Sequence, residues 1–341
     1  MNDFTELVDL ASERLGGAVL YANDEFFAPK EYLLKASAPV FKEGVYTDRG
    51  KWMDGWETRR RRTPGFDWCV VRLGLPGVVR GVVVDTAFFR GNYPESCSLE
   101  ACALEGLPDL EQLTGDKVDW TEILPVSPLQ GDSQNFFHVS GGQRATHLLF
   151  NIYPDGGVAR LRVYGEVVPD WRRLKERGEV DLAAVENGGL VIAASDMFFG
   201  HRHNLIMPGR ALDMSDGWEP RRRRGPGHDW CVIRLGAPGR VRRVEVDTAH
   251  FKGNFPESCQ LEACNAEGLV VDETNAASLP WRDFLPRTRL QAHTRHFYED
   301  ELKDAGTATH FRFSIYPDGG VSRLRLYGSA DESALDADAL A

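Results

Sequence analysis

The stretch Asp85–Cys102, DTAFFRGNYPESCSLEAC, returns at Asp247–Cys264 as DTAHFKGNFPESCQLEAC, with 14 of 18 positions identical. The two copies lie 162 residues apart, from Asp85 to Asp247. A period of that length is far beyond a solenoid unit, so each copy is a whole domain. A single hydrophobic core stops growing near roughly 250–300 residues. The 341-residue chain therefore divides most simply into two domains of about 150 residues. The text VDLASERLGG at 8–17 returns as VDLAAVENGG at 180–189, which sets the boundaries. The first copy is expected at 1–165, a connector at 166–179 and the second copy at 180–328. The acidic segment 329–341 is expected to be a frayed, disordered tail.

The formal net charge of −11 argues against binding nucleic acid through its phosphates. No run of 18 apolar residues occurs, so no membrane partner is expected. The N-terminal residues show no basic segment followed by an apolar one, and a cytoplasmic protein is expected. The six cysteines, Cys69, Cys97, Cys102, Cys231, Cys259 and Cys264, lie in apolar runs without a CxxC spacing. They read as reduced core residues rather than disulfides or a zinc site.

Residues 3–15, DFTELVDLASERL, place Phe4, Leu7, Val8, Ala11 and Leu15 on one helical face. Asp3 and Glu6 resemble a capping box, and Gly16-Gly17 is the stop. Each copy therefore opens on a short helix. Strand-like runs follow at AVLYANDEFF (18–27), WCVVRLG (68–74), VVRGVVVDTAFF (78–89) and SCSLEACAL (96–104), bounded by Gly, Pro or Asn. The last segment alternates on both sides of Pro154-Asp155-Gly156-Gly157 and reads as a hairpin. Segment 28–53 reads as a loop, and its counterpart 200–215 is ten residues shorter. Pro169-Asp170 starts a short charged helix in the connector. One short helix and seven or eight short strands per copy mean an all-β protein of two tandem sandwiches.

No Rossmann fingerprint, P-loop, GxSxG or HExxH is present. The candidate site residues are polar residues that both copies keep. The runs Arg59–Arg62 and Arg221–Arg224 suit a small carboxylate, since arginine forks onto planar anions. Asp54 and Asp216 open the turn before each run. They join Arg59, Arg60, Arg221 and Arg222 as substrate-binding candidates. In the turns Gly91–Ser96 and Gly253–Ser258, Asn92 and Asn254 offer an amide, and Glu95 and Glu257 a carboxylate near the rim. Asp85, Asp247, Glu100 and Glu262 sit in strand patterns, as ion-pair partners or as acids and bases of shifted pKa. Asp24 and Asp196 precede exposed paired aromatics on a loop rim. Only His147 and His310 are matched between copies. The second copy carries His250, His293 and His296 where the first has Phe88, Asp132 and Asn135. The copies are therefore chemically unequal. No cofactor is assigned, and a divalent metal on these histidines remains open.

These residues resemble the allantoicase (allantoate amidinohydrolase) family. The resemblance rests on FTELVDLASERLGG (4–17), NDEFFAPKEYLL (23–34), DGWETRRRR (54–62), VDTAFFRGNYPESC (84–97), SDMFFG (195–200), NLIMPGRA (204–211), DGWEPRRRR (216–224), DTAHFKGNFPESCQLEAC (247–264) and YPDGGVSRLRLYG (316–328). It covers about 4 to 328. It implies two tandem jelly-roll domains of the galactose-binding-like type. It further implies hydrolysis of allantoate to ureidoglycolate and urea in purine breakdown through allantoin. For that chemistry, Glu95 and Glu257 or Glu100 and Glu262 are the candidate acids and bases, with His250 or His310 in support. The rival readings are a hydrolase of a related ureide and a tandem carbohydrate-binding protein without catalysis. A homo-oligomer is expected.

Overall fold

The computed structural model describes residues 3–331 except 105, 107, 116, 117, 140, 177 and 273. Internal contacts divide the chain into two compact units, Met1–Val168 and Pro169–Ala341. In the first, β1 is Val8–Asp9, β2 Ala18–Ala22, β3 Asp67–Asp85, β4 Ser96–Cys102, β5 Thr121–Pro128, β6 Gln134–His138, β7 Arg144–Tyr153 and β8 Arg160–Val167. In the second, β9 is Val180–Asp181, β10 Leu190–Ala194, β11 Asp229–Asp247, β12 Ser258–Cys264, β13 Arg282–Arg289, β14 Arg295–Tyr298, β15 Ala308–Tyr316 and β16 Arg323–Ala330.

The 19-residue strand β3 organises the first unit. Sheet order is β1-β8-β3-β7-β4-β5, with β2 and β6 also paired to β3. Its first half pairs with β2 and β7, and its second half with β8 and β6. One strand thus serves both layers of a sandwich, and β11 repeats the device in the second unit. WCVVRLG and VVRGVVVD are therefore one strand, running through Pro76-Gly77, where the sequence pattern implied two. Burial between the layers is dense: Val70, Val71, Leu148, Phe150, Ile152, Leu161 and Val163 are fully buried. Each such side chain stabilises the fold by roughly 1.5–3 kcal/mol.

Two other expectations change. Asp3–Leu15 is not a helix but a 3-10 turn at Asp3–Glu6, the strand β1, and a second turn at Glu13–Leu15 closed by Gly16 at φ 92°. Asp9 Oδ1 accepts from Val163 N, and Leu10 N donates to Val163 O at 2.7 Å. Pairing with the sheet edge overrides the helical periodicity, and Asp181 and Leu182 repeat it on β16. The PDGG segment is likewise no hairpin. β7 and β8 leave it for opposite halves of β3, while Gly157–Val158 pairs with Trp56–Glu57. Glu166 and Val167, placed in the connector by the sequence pattern, complete β8. The charged helix forms at Trp171–Lys175 behind its N-cap, Asp170. Ser329 and Ala330 belong to β16, and the rest of the acidic segment from 332 onward lies outside the described residues. All six cysteines are free and buried; burial pushes the thiols of Cys97, Cys102 and Cys259 up to about 12. No helix among the described residues is long and apolar enough to cross a membrane.

Candidate active site

In both units the Asp-Gly-Trp turn is nailed into the core. Trp56 and Trp218 are fully buried, and their indole N–H groups donate to the Asp24 and Asp196 carbonyls at 2.8 Å. The third arginine of each run is structural. Arg61 and Arg223 pair with the buried Asp67 and Asp229 at 2.5 Å. Their backbone N–H groups donate to Asp155 and Asp318 at 2.8 and 2.7 Å. Asp155 and Asp318 come from the PDGG loop, which also closes onto the Gly-Asn turn. There Gly157 and Gly320 donate to the Asn92 and Asn254 carbonyls at 2.7 Å. Gly319 sits at φ 127° with the Phe255 and Pro256 backbone 2.7 Å from where a Cβ would stand, so only glycine fits.

This clamp presents the same pair twice. Asn92 Nδ2 donates to Glu57 Oε1, and Asn254 Nδ2 to Glu219 Oε1, each at 2.6 Å. Burial raises the Glu57 carboxyl above the ordinary glutamate value, against the bond from Asn92. In the second unit the pair lines a cleft of about 650 Å³ with Arg222, Glu257, Arg289 and Asp318. Glu257 forms ion pairs there with Arg287 at 3.1 Å and Arg289 at 3.9 Å. Arg222 has no ion pair among the described residues. The first unit lacks the strand arginines. Register puts Pro128 opposite Ser96 where Arg289 stands opposite Ser258, and Val126 replaces Arg287.

Of the sequence candidates, the structure gathers Arg222, Asn254 and Glu257 in that cleft. Asn92 joins Glu57, while Glu95, on the same turn, is exposed. Arg59 and Arg60 line a separate shallow cavity of about 390 Å³ with Asp24 and Asp67. Arg59 is held by Asp24 at 2.6 Å, and Arg221 lies 3.9 Å from Asp196. Burial opposes charge on Asp24, but bonds from Phe26 and Arg59 prevail and hold its carboxyl below the usual range.

The remaining candidates leave the site. Asp54 is buried, paired to Arg160 at 2.8 Å and Lys35 at 2.9 Å, and Asp216 pairs with Arg323 at 2.9 Å. These ion pairs tie the loop to the sheet. Asp85 and Asp247 each accept from the backbone two residues on, at 2.8 Å. Glu100 accepts from Asn151 at 3.2 Å, and Glu262 pairs with Arg312, well along the strand from Glu257. His310 lies at the far end of β15 from Tyr316, six residues or about 20 Å away. It is bonded to Thr309, and burial with nearby Arg234 lowers its pKa to about 4. His147 is the equivalent and is also lowered by burial.

Two of the second-copy histidines, His293 and His296, substitute for backbone-binding groups. His293 Nδ1 accepts from His250 N at 2.7 Å, as Asp132 accepts from Phe88. His296 accepts from Gln291 N and contacts Val246 O, repeating two of the bonds of Asn135. His250 Nε2 lies 3.0 Å from Ala211 O. Among the described residues no three His, Cys, Asp or Glu side chains are arranged to hold a metal. Sequence reasoning passed over Glu57, Glu219, Arg287 and Arg289. The repeated DGWE carried a signal for the two glutamates. Arg287 and Arg289 have no counterpart and left none.

Fold and site together define a duplicated β-sandwich protein with a carboxylate–amide cleft that arginines line. A family model described as allantoicase repeat matches residues 8–168 and 180–331. A probable allantoicase of Pseudomonas aeruginosa (strain UCBPP-PA14) is 51% identical over 327 residues, covering 96% of this chain and 97% of that one. One of Photobacterium profundum is 48% identical over 330 residues, covering 97% and 98%. The crystal structure of allantoicase from Saccharomyces cerevisiae superposes with a TM-score of 0.80 at 35% identity, covering 96% of each chain. The chain belongs to the allantoicase family.

Proposed function

We propose that the second-unit cleft is where this chain hydrolyses allantoate to ureidoglycolate and urea, a step of purine degradation. The observation that carries it is the Glu219–Asn254 pair at 2.6 Å, in a cleft that Arg222 and Arg289 also line. Allantoate bears one carboxylate and two ureido groups on a single carbon. Arg222 and Arg289 take the carboxylate. Asn254 Oδ1 accepts from a ureido N–H. The Glu219 carboxyl protonates the leaving ureido nitrogen as its C–N bond breaks, and urea departs. The lone pair of the remaining ureido nitrogen forms an iminium, to which water adds, and the Glu219 carboxylate takes the water's proton. One water is consumed, and Glu219 ends as it began. The first unit keeps the Glu57–Asn92 pair without the strand arginines, so the chemistry belongs to the second unit.

The test is urea and ureidoglycolate release from allantoate by the purified protein, with and without chelator. Equimolar products at an unchanged rate are expected, because Glu219 carries both proton transfers. No urea overturns the reading and favours a related ureide. Cytoplasmic residence suits six buried thiols. A homo-oligomer is the expected assembly, with Phe198 and Phe199 exposed beside the cleft; light scattering on the eluting protein tests it.

A further inference from the structure

A second cavity lies on the sheet face of the second unit, lined by His228, Trp230, Gln260, Glu262, Arg312 and Tyr316, and by the buried Ala276. It encloses about 260 Å³. The first unit provides an internal reference for this face. There Phe66 takes the place of His228 and packs on Tyr153 at 4.9 Å. Register opposite Glu100 and Glu262 sets Leu149 where Arg312 stands. The covering segment differs in the same sense. Trp120 donates to the Leu113 carbonyl as Trp281 donates to the Ala276 carbonyl, so Ala276 occupies the place of the buried Leu113. The buried Leu113, the half-buried Leu149 and the exposed Phe66 stand where the second unit has Ala276, Arg312 and His228. The second unit thus has a smaller side chain and two more polar ones at these places.

The walls are specific. His228 lies against the Tyr316 ring at 4.5 Å and 30°, and Arg287 covers that ring at 4.0 Å. Tyr316 donates to Gln260 Oε1 at 2.7 Å, which fixes the phenol. Arg312 Nε and Nη2 both reach Glu262 Oε2, at 2.7 and 2.6 Å. That leaves Glu262 Oε1 and Arg312 Nη1 without a protein partner among the described residues. The cavity thus offers an acceptor for a ligand N–H and a donor for a ligand C=O. Aromatic walls favour a flat ring, and the volume suits a single ring rather than a drug-sized ligand.

We propose that this cavity is a binding site, separate from the cleft, for a small planar ring with an amide or ureide edge. Glu262 accepts the ring N–H, Arg312 donates to the ring C=O, and Trp230 and His228 line the cavity beside the ring. The proposal stands independently of the reaction assigned to the cleft.

Hydantoin, a cyclic ureide, is the probe, titrated calorimetrically into the full chain. One saturable site per chain is expected. Ala276→Leu, which restores the side chain carried by the first unit, should weaken binding at least tenfold while allantoate turnover stays at the wild-type rate. Glu262→Gln should weaken binding likewise, and Glu219→Gln should leave it intact. No saturable heat in the wild type overturns the proposal. So does undiminished binding in Ala276→Leu, or loss confined to Glu219→Gln, which would place hydantoin in the cleft.

Discussion

Glu219 and Glu57 each follow a fully buried tryptophan and are each held by an asparagine from the Gly-Asn turn. The backbone reason is local: the indole fixes the strand, the PDGG loop fixes the turn, and the two side chains meet at 2.6 Å. Arg289 is different, since it is mostly exposed and 3.9 Å from Glu257. Its part is charge complementarity at the cleft mouth. Arg289→Ala should raise the KM for allantoate about tenfold with little change in kcat, the loss of uniform binding; steady-state kinetics check it. His310 makes a prediction away from the site. Its folded pKa of about 4 lies below the ordinary value of 6.5, because burial excludes the charged form. Below pH 6.5 the unfolded chain binds the proton and the folded chain does not. Stability is therefore full above 6.5 and is lost as pH falls towards 4, by up to roughly 3 kcal/mol. Denaturant midpoints across that window should fall, and less steeply in His310→Gln.

At the scale of elements, the pairing of strands was the least legible part. The alternation on both sides of PDGG was real, and both flanking segments are strands. Alternation records which face is buried, not which neighbour is bonded, so β7 and β8 read as a hairpin although they lie in different layers. The break read at Pro76-Gly77 failed similarly, because the ladder bends there without ending. The helical periodicity of 3–15 lost to the edge of β8. Among site residues, Asn92, Asn254 and Arg222 were legible because both copies keep them on turns. Asp54 and Asp216 are kept equally, yet their partners Arg160 and Arg323 lie more than 100 positions away, and only folding shows that their charge is already matched. Arg160 is 1% exposed and also donates to the Ser37, Tyr32 and Ala159 carbonyls. Arg160→Met should therefore destabilise the first unit by about 3–5 kcal/mol, leaving Asp54 and those carbonyls without it; urea unfolding checks it.

For the whole molecule, the duplication is a comparison that the chain makes with itself. Trp56/Trp218, Asp67/Asp229, Arg160/Arg323 and Asn92/Asn254 are kept with near-identical bonds, and they build the scaffold. Val126, Pro128, Leu149 and Leu113 in one unit against Arg287, Arg289, Arg312 and Ala276 in the other mark where the two units differ in charge and side-chain size. Turnover is therefore expected in one unit of the two. The most direct measurement is urea release from allantoate by Glu219→Gln and Glu57→Gln side by side, with folding confirmed by circular dichroism. Removing the proton donor should cut the Glu219→Gln rate by about 10²–10⁴-fold, while Glu57→Gln keeps the wild-type rate. Equal losses in both variants, or full activity in Glu219→Gln, would contradict it.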